Sequence, residues 1–268
     1  MKVTILGCGG SGGVPLIGPG WGACNPDNPK NRRSRVSILV QQGETNILCD
    51  TSPDFRAQAL SAGINHLDAV LYTHDHADHT QGIDDLRFVK SRDKARHHRI
   101  PVYGSKETLG TITGRFAYAF TQNTQGSGHL YKPFLDVVEI DNNTLHHVAG
   151  LPVTPYLQDH GFGTVSTGYR IGNVAYSTDC VALPGESLAH LHGLELFVVD
   201  CLRFEPHNTH AHFDQALAWV EMLRPKHTIL THMNHLVDYD VIKARCPAGV
   251  EPAYDGLVVE VADVSAAT

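Results

Sequence analysis

Short apolar runs separated by turn residues dominate the first part of the chain. The run "KVTILG" predicts a strand, and "VSILVQQ" and "TNILCD", on either side of Gly43 and Glu44, predict a hairpin. The stretch "PDFRAQALSAG" has helical spacing and a glycine stop at Gly63. "LDAVLYT" then predicts a buried strand, which delivers the chain directly into a cluster of histidines and aspartates.

Strands and helices alternate further along. "IPVYG", "LDVVEI", "LPVTPYLQ", "STGYRI", "NVAYST", "ELFVVDCL", "HTILTHM" and "GLVVEVAD" predict strands, and "TQGIDDLRFVKSR" and "HFDQALAWVEML" predict helices. Between them, residues 105–133 predict a mixed helix and loop excursion with a flexible stretch "TQNTQGSGH". The order of elements indicates an α/β fold in which two sheets pack together and helices cover them outside. With no linker, repeat or change in composition, we predict one domain over residues 1–268.

Composition narrows the class of protein. Of the 268 residues, 42% are hydrophobic and 18% charged, as in ordinary globular proteins. A net charge of −7 disfavours a nucleic-acid partner bound by broad phosphate neutralisation. A small anionic substrate stays open, because a metal ion can reverse the field within one cleft.

Two further features bear on where the protein works. The six cysteines are scattered without a CxxC pair, which is typical of reduced thiols. No stretch approaches the roughly 20 apolar residues of a membrane helix. We therefore expect a cytoplasmic protein with no membrane partner, and a homodimer stays open.

The loop "GCGGSG", from Gly7 to Gly12, has the G-x-G-x-x-G spacing directly after a strand. Dinucleotide binding would need a helix to begin there, so that its amides face a pyrophosphate. The following "GVPLIGPGWG" cannot form that helix, because it contains two prolines and many glycines. We favour a tight bend over nucleotide binding, with a place at the rim of a metal site as a further alternative.

The stretch "YTHDHADHT" concentrates metal-ligating side chains. Residues two apart in an extended segment project the same way, so His74 and His76 can bind one ion together. If a helix begins near Thr80, Asp78 and His79 turn toward a second point nearby. The pattern H-x-H-x-D-H therefore favours two metal ions, which typically lie about 3.5–4 Å apart.

Two ions need more ligands, and three later segments offer one each at or just after a strand end. These are His160 in "QDHG", Asp179 in "STDC" and His232 in "LTHMNH". A carboxylate can bridge two ions, and Asp179 is the natural candidate. The predicted sets are His74, His76, His160 and Asp179 for one ion, and Asp78, His79, Asp179 and His232 for the other. Zinc suits this donor set best, with manganese or iron as alternatives. Asp50 has two open roles, orienting a ligand or capping the core edge.

These motifs resemble the metallo-β-lactamase superfamily, whose hallmark is HxHxDH followed by His, Asp and His. "GCGGSGGVP", "DTSPD", "LDAVLYTHDHADHTQGIDDLR" and "AYDG" are similar to the branch of the carbon–phosphorus lyase accessory phosphodiesterase. That branch also resembles the short tRNA 3′-end nucleases and the pyrroloquinoline-quinone biosynthesis B protein. The resemblance implies a four-layer αββα sandwich with a dinuclear site along one sheet edge.

The resemblance also implies a catalytic residue and some departures. His210 matches a histidine that faces the scissile phosphate in the phosphodiesterases, and His212 competes with it. Only Cys24 remains of a cysteine-rich loop that holds a structural zinc, so we expect no such zinc here. The chain also lacks the long glycine-rich arm that clamps tRNA in the nucleases. tRNA processing is therefore a much weaker candidate function than hydrolysis of a small phosphodiester.

The expected activity is hydrolysis of a small phosphodiester, cyclic ones included, assisted by two divalent ions. His210 would protonate the leaving oxygen, and Asp78 would orient the attacking water as well as bind metal. Two rivals stay open: a thioester or lactone hydrolase on the same site, and a non-hydrolytic metal-binding protein of cofactor biosynthesis. Arg32, Arg33 and Arg35 form either an anion-binding rim or a solvated basic loop.

Overall fold

The computed structural model describes residues 1–92, 94–95, 98–121 and 132–262. Its strands are β1 (Lys2–Gly7), β2 (Ser37–Gln42), β3 (Thr45–Cys49), β4 (Ala69–Leu71), β5 (Ile100–Gly104), β6 (Leu135–Glu139), β7 (His146–Val148), β8 (Leu151–Asp159), β9 (Val165–Ile171), β10 (Val174–Ser177), β11 (Leu196–Asp200), β12 (His227–Thr231), β13 (Val250–Pro252) and β14 (Val258–Glu260). Its helices are α1 (Phe55–Ala62), α2 (Ala77–Thr80), α3 (Lys106–Arg115), α4 (Ala117–Phe120), α5 (Gly185–Leu188), α6 (Phe213–Leu223) and α7 (Tyr239–Arg245). None of the helices in these ranges is long and apolar enough to cross a membrane.

The strands form two sheets with related topologies. One sheet has the order β14-β1-β2-β3-β4-β5-β6, and the other has the order β13-β12-β11-β10-β9-β8-β7. In each sheet the strands pair antiparallel on one side, and parallel from β3 to β6 or from β10 to β13. Parallel neighbours need a crossover connection, and helices supply it. The predicted α/β sandwich of two sheets covered by helices is confirmed.

Alternation along the strands divides the apolar residues between two cores. Ile38 and Ile47 belong to the large core that both sheets share, whereas Leu39 and Leu48 belong to the core beneath α1 and α3. This follows from the period of two in a strand, which sends neighbouring side chains to opposite faces. The first sheet is therefore buried on both faces.

One predicted helix takes a different form. "TQGIDDLRFVKSR" contains a 3₁₀ segment over Ile83–Phe88, and the preceding α2 is a single turn. Gly82 separates them because a Cβ there would overlap the carbonyl oxygen of Ser52. The backbone must approach this loop too closely for a continuous α-helix with side chains. Most of the stretch predicted to be flexible, "TQNTQGSGH", lies outside the described residues.

The parallel strands of both sheets end along one side of the sandwich. Asp50 follows β3, and Asp200 is the last residue of β11. Thr167, in β9, donates its amide to the carbonyl of Thr73 at 2.8 Å, so the sheets are joined where the first histidine motif begins. Open α/β sheets bind ligands outside the carboxyl ends of their strands, and the candidate site lies there.

The close approach at Gly82 gives a matched pair of substitutions. We expect Gly82→Ala to destabilise the protein by about 1–3 kcal/mol, because the added methyl overlaps fixed backbone. Gly110→Ala, in α3 with open space around it, should stabilise by about 0.5–1 kcal/mol. Thermal and urea unfolding of both variants measure the difference. Equal stability of the two variants would show that the contact between Gly82 and Ser52 is loose.

Candidate metal centre

The first sheet contributes the histidine motif. After β4 the chain bends at Thr73 and continues without regular structure to His76, whose φ and ψ are −60° and 152°. Helix α2 begins at Ala77, earlier than the predicted start near Thr80. Asp78 and His79 therefore lie in its first turn. Both are buried, as is His74, whereas His76 is exposed.

The second sheet contributes single residues directly after its strands. His160 follows β8, Asp179 lies two residues beyond β10, and His232 follows β12. Asp179 and His232 have left-handed backbones with φ of 55° and 62°, as does Asp50 with φ of 63°. Aspartate and histidine are enriched among the non-glycine residues that adopt this region, and residues held there cluster at active sites. The strand ends thus turn sharply to aim these side chains inward.

The structure brings the seven predicted ligand residues together in two clusters that share Asp179. Oδ1 of Asp179 lies 3.9 Å from Nε2 of His74 and 3.8 Å from Nε2 of His160. Oδ2 lies 3.1 Å from Nε2 of His79 and 3.4 Å from Nε2 of His232. Each carboxylate oxygen faces a different cluster. The memberships match the predicted sets: His74, His76, His160 and Asp179, and Asp78, His79, Asp179 and His232.

Hydrogen bonds behind the clusters orient the imidazoles. Of the two roles open for Asp50, the structure shows the orienting one, because Nδ1 of His79 donates to its Oδ2 at 2.8 Å. Thr73 donates its amide and its hydroxyl to the same carboxylate, each at 2.9 Å, and its oxygen lies 3.0 Å from Nδ1 of His74. Nδ1 of His160 donates to the carbonyl of Thr209 at 2.9 Å. These bonds place the ring protons on Nδ1 and leave Nε2 lone pairs facing the clusters.

The clusters fit divalent cations. Nε2 of His74, His79 and His232 is buried without a hydrogen-bond partner in the described part of the chain. Buried polar atoms are normally paired, so three unpaired nitrogens around one carboxylate require an explanation. Nitrogen and carboxylate donors without thiolate suit zinc, manganese or iron, and cations bound in the two clusters would accept these lone pairs.

The two carboxylates of the clusters are held ionised. Burial raises the pKa of Asp78 and Asp179, but the imidazoles of His79 and His232 outweigh burial and hold both pKa values below the usual range. Both groups therefore offer anionic oxygens at neutral pH. These carboxylates thus attract positive charge, which imidazolium protons or a bound cation can supply.

His210 lies beside the two clusters and pairs with a separate carboxylate, that of Asp200. Its Nδ1 lies 3.0 Å from Oδ2 of Asp200, and its ring stacks on His232 with centroids 4.7 Å apart. Burial lowers the pKa of His210, but the Asp200 carboxylate more than compensates and raises it to about 9. Sequence reasoning missed Asp200. Its signal was available, because it ends an apolar strand in the same way as the segment carrying Asp179.

Other candidate residues lie elsewhere. His212 is the N-cap of α6 and belongs to neither cluster, and α6 begins three residues after His210. Arg33 is buried at 1% exposure and donates to the carbonyl of Asn234 at 3.1 Å, while Arg35 pairs with Asp54 at 3.0 Å. The guanidinium of Arg32 lies over the Trp21 ring. The buried Arg33 fits neither an anion-binding rim nor a solvated basic loop, whereas Arg32 is exposed and Arg35 half-buried, and the role of these two stays a prediction.

Two neighbouring hollows lie beside His210. One, of about 320 Å³, is lined by Asp78, Asp179, Phe162 and further residues of the clusters. The other, of about 240 Å³, is lined by the glycine loop from Gly10 to Gly13 and by His207. Ser11, His210 and His232 line both. The glycine loop thus lies at the rim of the site, as its third interpretation proposed.

Residues 45–233 match the model of the beta-lactamase superfamily domain. The chain belongs to that superfamily. A solved structure described as a new diphosphatase from the PhnP family has 35% sequence identity and a TM-score of 0.87, over 97% of this chain and 98% of that one. Together with the fold and the His/Asp clusters, this similarity makes the domain a metal-dependent hydrolase of the PhnP branch and confirms the resemblance seen in the sequence motifs.

Two curated relatives are longer than this chain. The octanoyltransferase of Porphyromonas gingivalis is 33% identical over 260 residues, which are 96% of this chain and 51% of that protein. Ribonuclease Z of Methanopyrus kandleri is 35% identical over 148 residues, which are 53% of this chain and 46% of that protein. The chain thus spans about half the length of the first of these relatives, and the second matches it over about half of each protein.

The hydrogen bond between Asp50 and His79 makes a testable prediction. In Asp50→Asn an amide NH₂ can face Nδ1 of His79, which moves the ring proton to Nε2 on the cluster side. We expect metal affinity to fall about 10- to 100-fold, as for other residues that orient metal ligands. Competition with a chelator measures the affinity. Asp75→Asn is the matched control, because Asp75 lies between the ligands in sequence but pairs with Arg115 at the surface. Equal affinities in both variants would contradict the role of Asp50.

Proposed function

We propose that this protein is a dinuclear metal-dependent phosphodiesterase that acts on a small anionic phosphodiester, cyclic ones included. The observation that carries the proposal is the pair of His210 and Asp200 beside the shared carboxylate of Asp179. Hydrolysis of a phosphodiester with an alkoxide leaving group needs a proton donor, and this pair supplies one beside the clusters.

The proposed ions are two per chain, with zinc first and manganese or iron as alternatives. His74, His76 and His160 would hold one, Asp78, His79 and His232 would hold the other, and Asp179 would bridge them. When bound, such ions bind phosphate oxygens and lower the pKa of water, which makes hydroxide available at neutral pH.

The side chains of the protein supply the rest of the chemistry. Asp200 accepts from Nδ1–H of His210, so it stabilises the protonated ring and leaves Nε2–H as the proton to transfer to the leaving oxygen. Asp78 lines the larger hollow and is held ionised, which suits it to orient the attacking water. The stacked ring of His232 keeps His210 in place.

Two relatives support phosphoester chemistry over the rivals. The names of the solved PhnP-family diphosphatase and of ribonuclease Z both describe cleavage of phosphate esters or anhydrides. The octanoyltransferase name describes acyl transfer, but the match covers only 51% of that protein, so its name does not assign acyl chemistry to this half. The rivals remain a thioester or lactone hydrolase and a non-hydrolytic biosynthesis protein. A nucleic-acid substrate is disfavoured by the net charge of −7, and we propose no membrane partner.

A substrate panel tests the proposal. Metal-reconstituted protein is assayed with bis-(p-nitrophenyl) phosphate, a nucleoside 2′,3′-cyclic phosphate, p-nitrophenyl acetate, a lactone and an acyl thioester. We expect turnover of the phosphodiesters and little turnover of the acyl substrates. Turnover of acyl substrates alone would establish the first rival, and bound metal without turnover of any ester would favour the second.

The shared position of Asp179 predicts a coupled loss of metal. Asp179→Ala removes an oxygen that faces each cluster, so occupancy of both ions should fall from about two per chain. Elemental analysis of the purified variant beside the unaltered protein gives the stoichiometry. Full metal content with full activity would show that Asp179 is not the bridge.

The role of His210 predicts an effect that depends on the leaving group. His210→Ala should keep both ions but reduce kcat on the order of 10²–10⁴-fold for the cyclic phosphodiester, whose leaving group is an alkoxide. The loss should shrink for p-nitrophenolate, which leaves with little need for a proton. His212→Ala is the matched control, because it alters a neighbouring histidine outside the clusters.

The pattern of losses decides between roles for the two histidines. An equal loss on both leaving groups would make His210 a phosphate-binding residue instead. A selective loss in His212→Ala would transfer the role of proton donor to that residue.

A further inference from the structure

Phe162 is an aromatic residue at the mouth of the larger hollow. It lines this hollow together with Asp78, His160 and Asp179, yet 82% of its surface is exposed. A large apolar side chain gains nothing from such exposure to water. Its position two residues after a ligand candidate places it within reach of anything bound beside the clusters.

The backbone around Phe162 is held in an unfavourable form. Gly161, Phe162 and Gly163 all have positive φ, of 80°, 50° and 77°. Glycine adopts this region freely, but a bulky residue there is an outlier that persists only when its surroundings enforce it. A smaller or more flexible residue would fit the same loop with less strain.

The surroundings enforce this conformation. The amide and the hydroxyl of Thr164 both donate to the carbonyl of Gly161, at 2.8 Å and 2.7 Å. Gly161 packs so closely on the carbonyl of Asn208 that a Cβ would overlap it. The loop is therefore fixed against the segment that carries His210, and Phe162 is presented from a rigid base.

Core packing does not explain the aromatic ring. Phe162 belongs to neither apolar core of the described residues, and none of their aromatic rings makes a ring contact with it. A planar apolar surface beside a polar, metal-ligating hollow instead suits a ligand with one anionic and one planar part.

We propose that Phe162 is a stacking platform for a planar ring, a nucleobase above all, attached to the phosphate that is hydrolysed. This inference rests on the proposed function and narrows its substrate to nucleotide-like phosphodiesters. Size supports it: the hollow is about 320 Å³, at the lower end of the roughly 300–1,000 Å³ of ligand pockets. A phosphate held at the clusters with its sugar directed outward would bring an attached base to the mouth, where Phe162 stands.

The test compares two monophosphates that differ in the base. Binding of adenosine 5′-monophosphate and of ribose 5-phosphate to the metal-loaded protein is measured by calorimetry. Stacking on an aromatic side chain should favour the adenosine compound by about 5- to 100-fold. Phe162→Ala should abolish this preference, and Phe162→Trp should keep it.

Two variants separate stacking from a structural role. Asparagine tolerates the left-handed region, so Phe162→Asn should keep or raise the melting temperature while it loses the preference. Ile17→Ala is the matched control, because Ile17 is 95% exposed and lines neither hollow. It should leave the preference unchanged.

The outcomes are distinguishable from failure of the proposed function. Suppose first that the protein hydrolyses bis-(p-nitrophenyl) phosphate. Equal binding of both monophosphates, binding of neither, or a preference that persists in Phe162→Ala would then refute the stacking platform but leave the proposed phosphodiesterase activity intact. If Phe162→Ala converts a dimer to a monomer in sedimentation and keeps the preference, Phe162 is a subunit contact and the inference fails. A preference that depends on Phe162 without any ester hydrolysis would support the platform and refute the phosphodiesterase.

Discussion

The carboxylate of Asp179 is the interaction on which the arrangement of the site depends. Its two oxygens face two groups of imidazoles, and each group combines a residue from either sheet. The histidine motif belongs to the first sheet, while His160, Asp179 and His232 belong to the second. Lone pairs directed at one another from both sheets repel unless cations lie between them. Bound metal would therefore also hold the two sheets together, because any ligand that binds only the folded state stabilises it.

The sheet topology explains why such a site forms where it does. The parallel strands of both sheets end along one side of the sandwich, and the chain turns into left-handed backbone after them at Asp50, Asp179 and His232. This conformation is unfavourable for most side chains, so the packed strands must enforce it. The packed core keeps the strand ends rigid, and the rigid strand ends fix the directions in which these side chains point.

Much of the fold and the ligand set could be predicted from the sequence, because both follow from local patterns. The hairpin from β2 to β3 and the end of α1 at Gly63 came from alternation and glycine. The ligand residues came from strand ends. Asp200 also ends a strand, but the roles of Asp200 and Thr209 could not be found in this way. Their roles arise from contacts with His210 and His160, which only the tertiary structure brings about. Arg33 was misjudged for a similar reason, since its burial depends on a carbonyl 201 residues away.

The segment Thr209–His210 carries the candidate acid, His210, and also holds the candidate metal ligand His160 by a hydrogen bond. The carbonyl of Thr209 accepts from the ring of His160, and the next residue is His210. The distance between the proton donor and the first cluster is therefore set by one peptide unit rather than by two independent loops. An insertion between Thr209 and His210, or a deletion of either, would displace the proton donor and the support of His160 at once. We expect evolution to vary the length of this connection only before Thr209 or after His210, and to leave the pair itself contiguous.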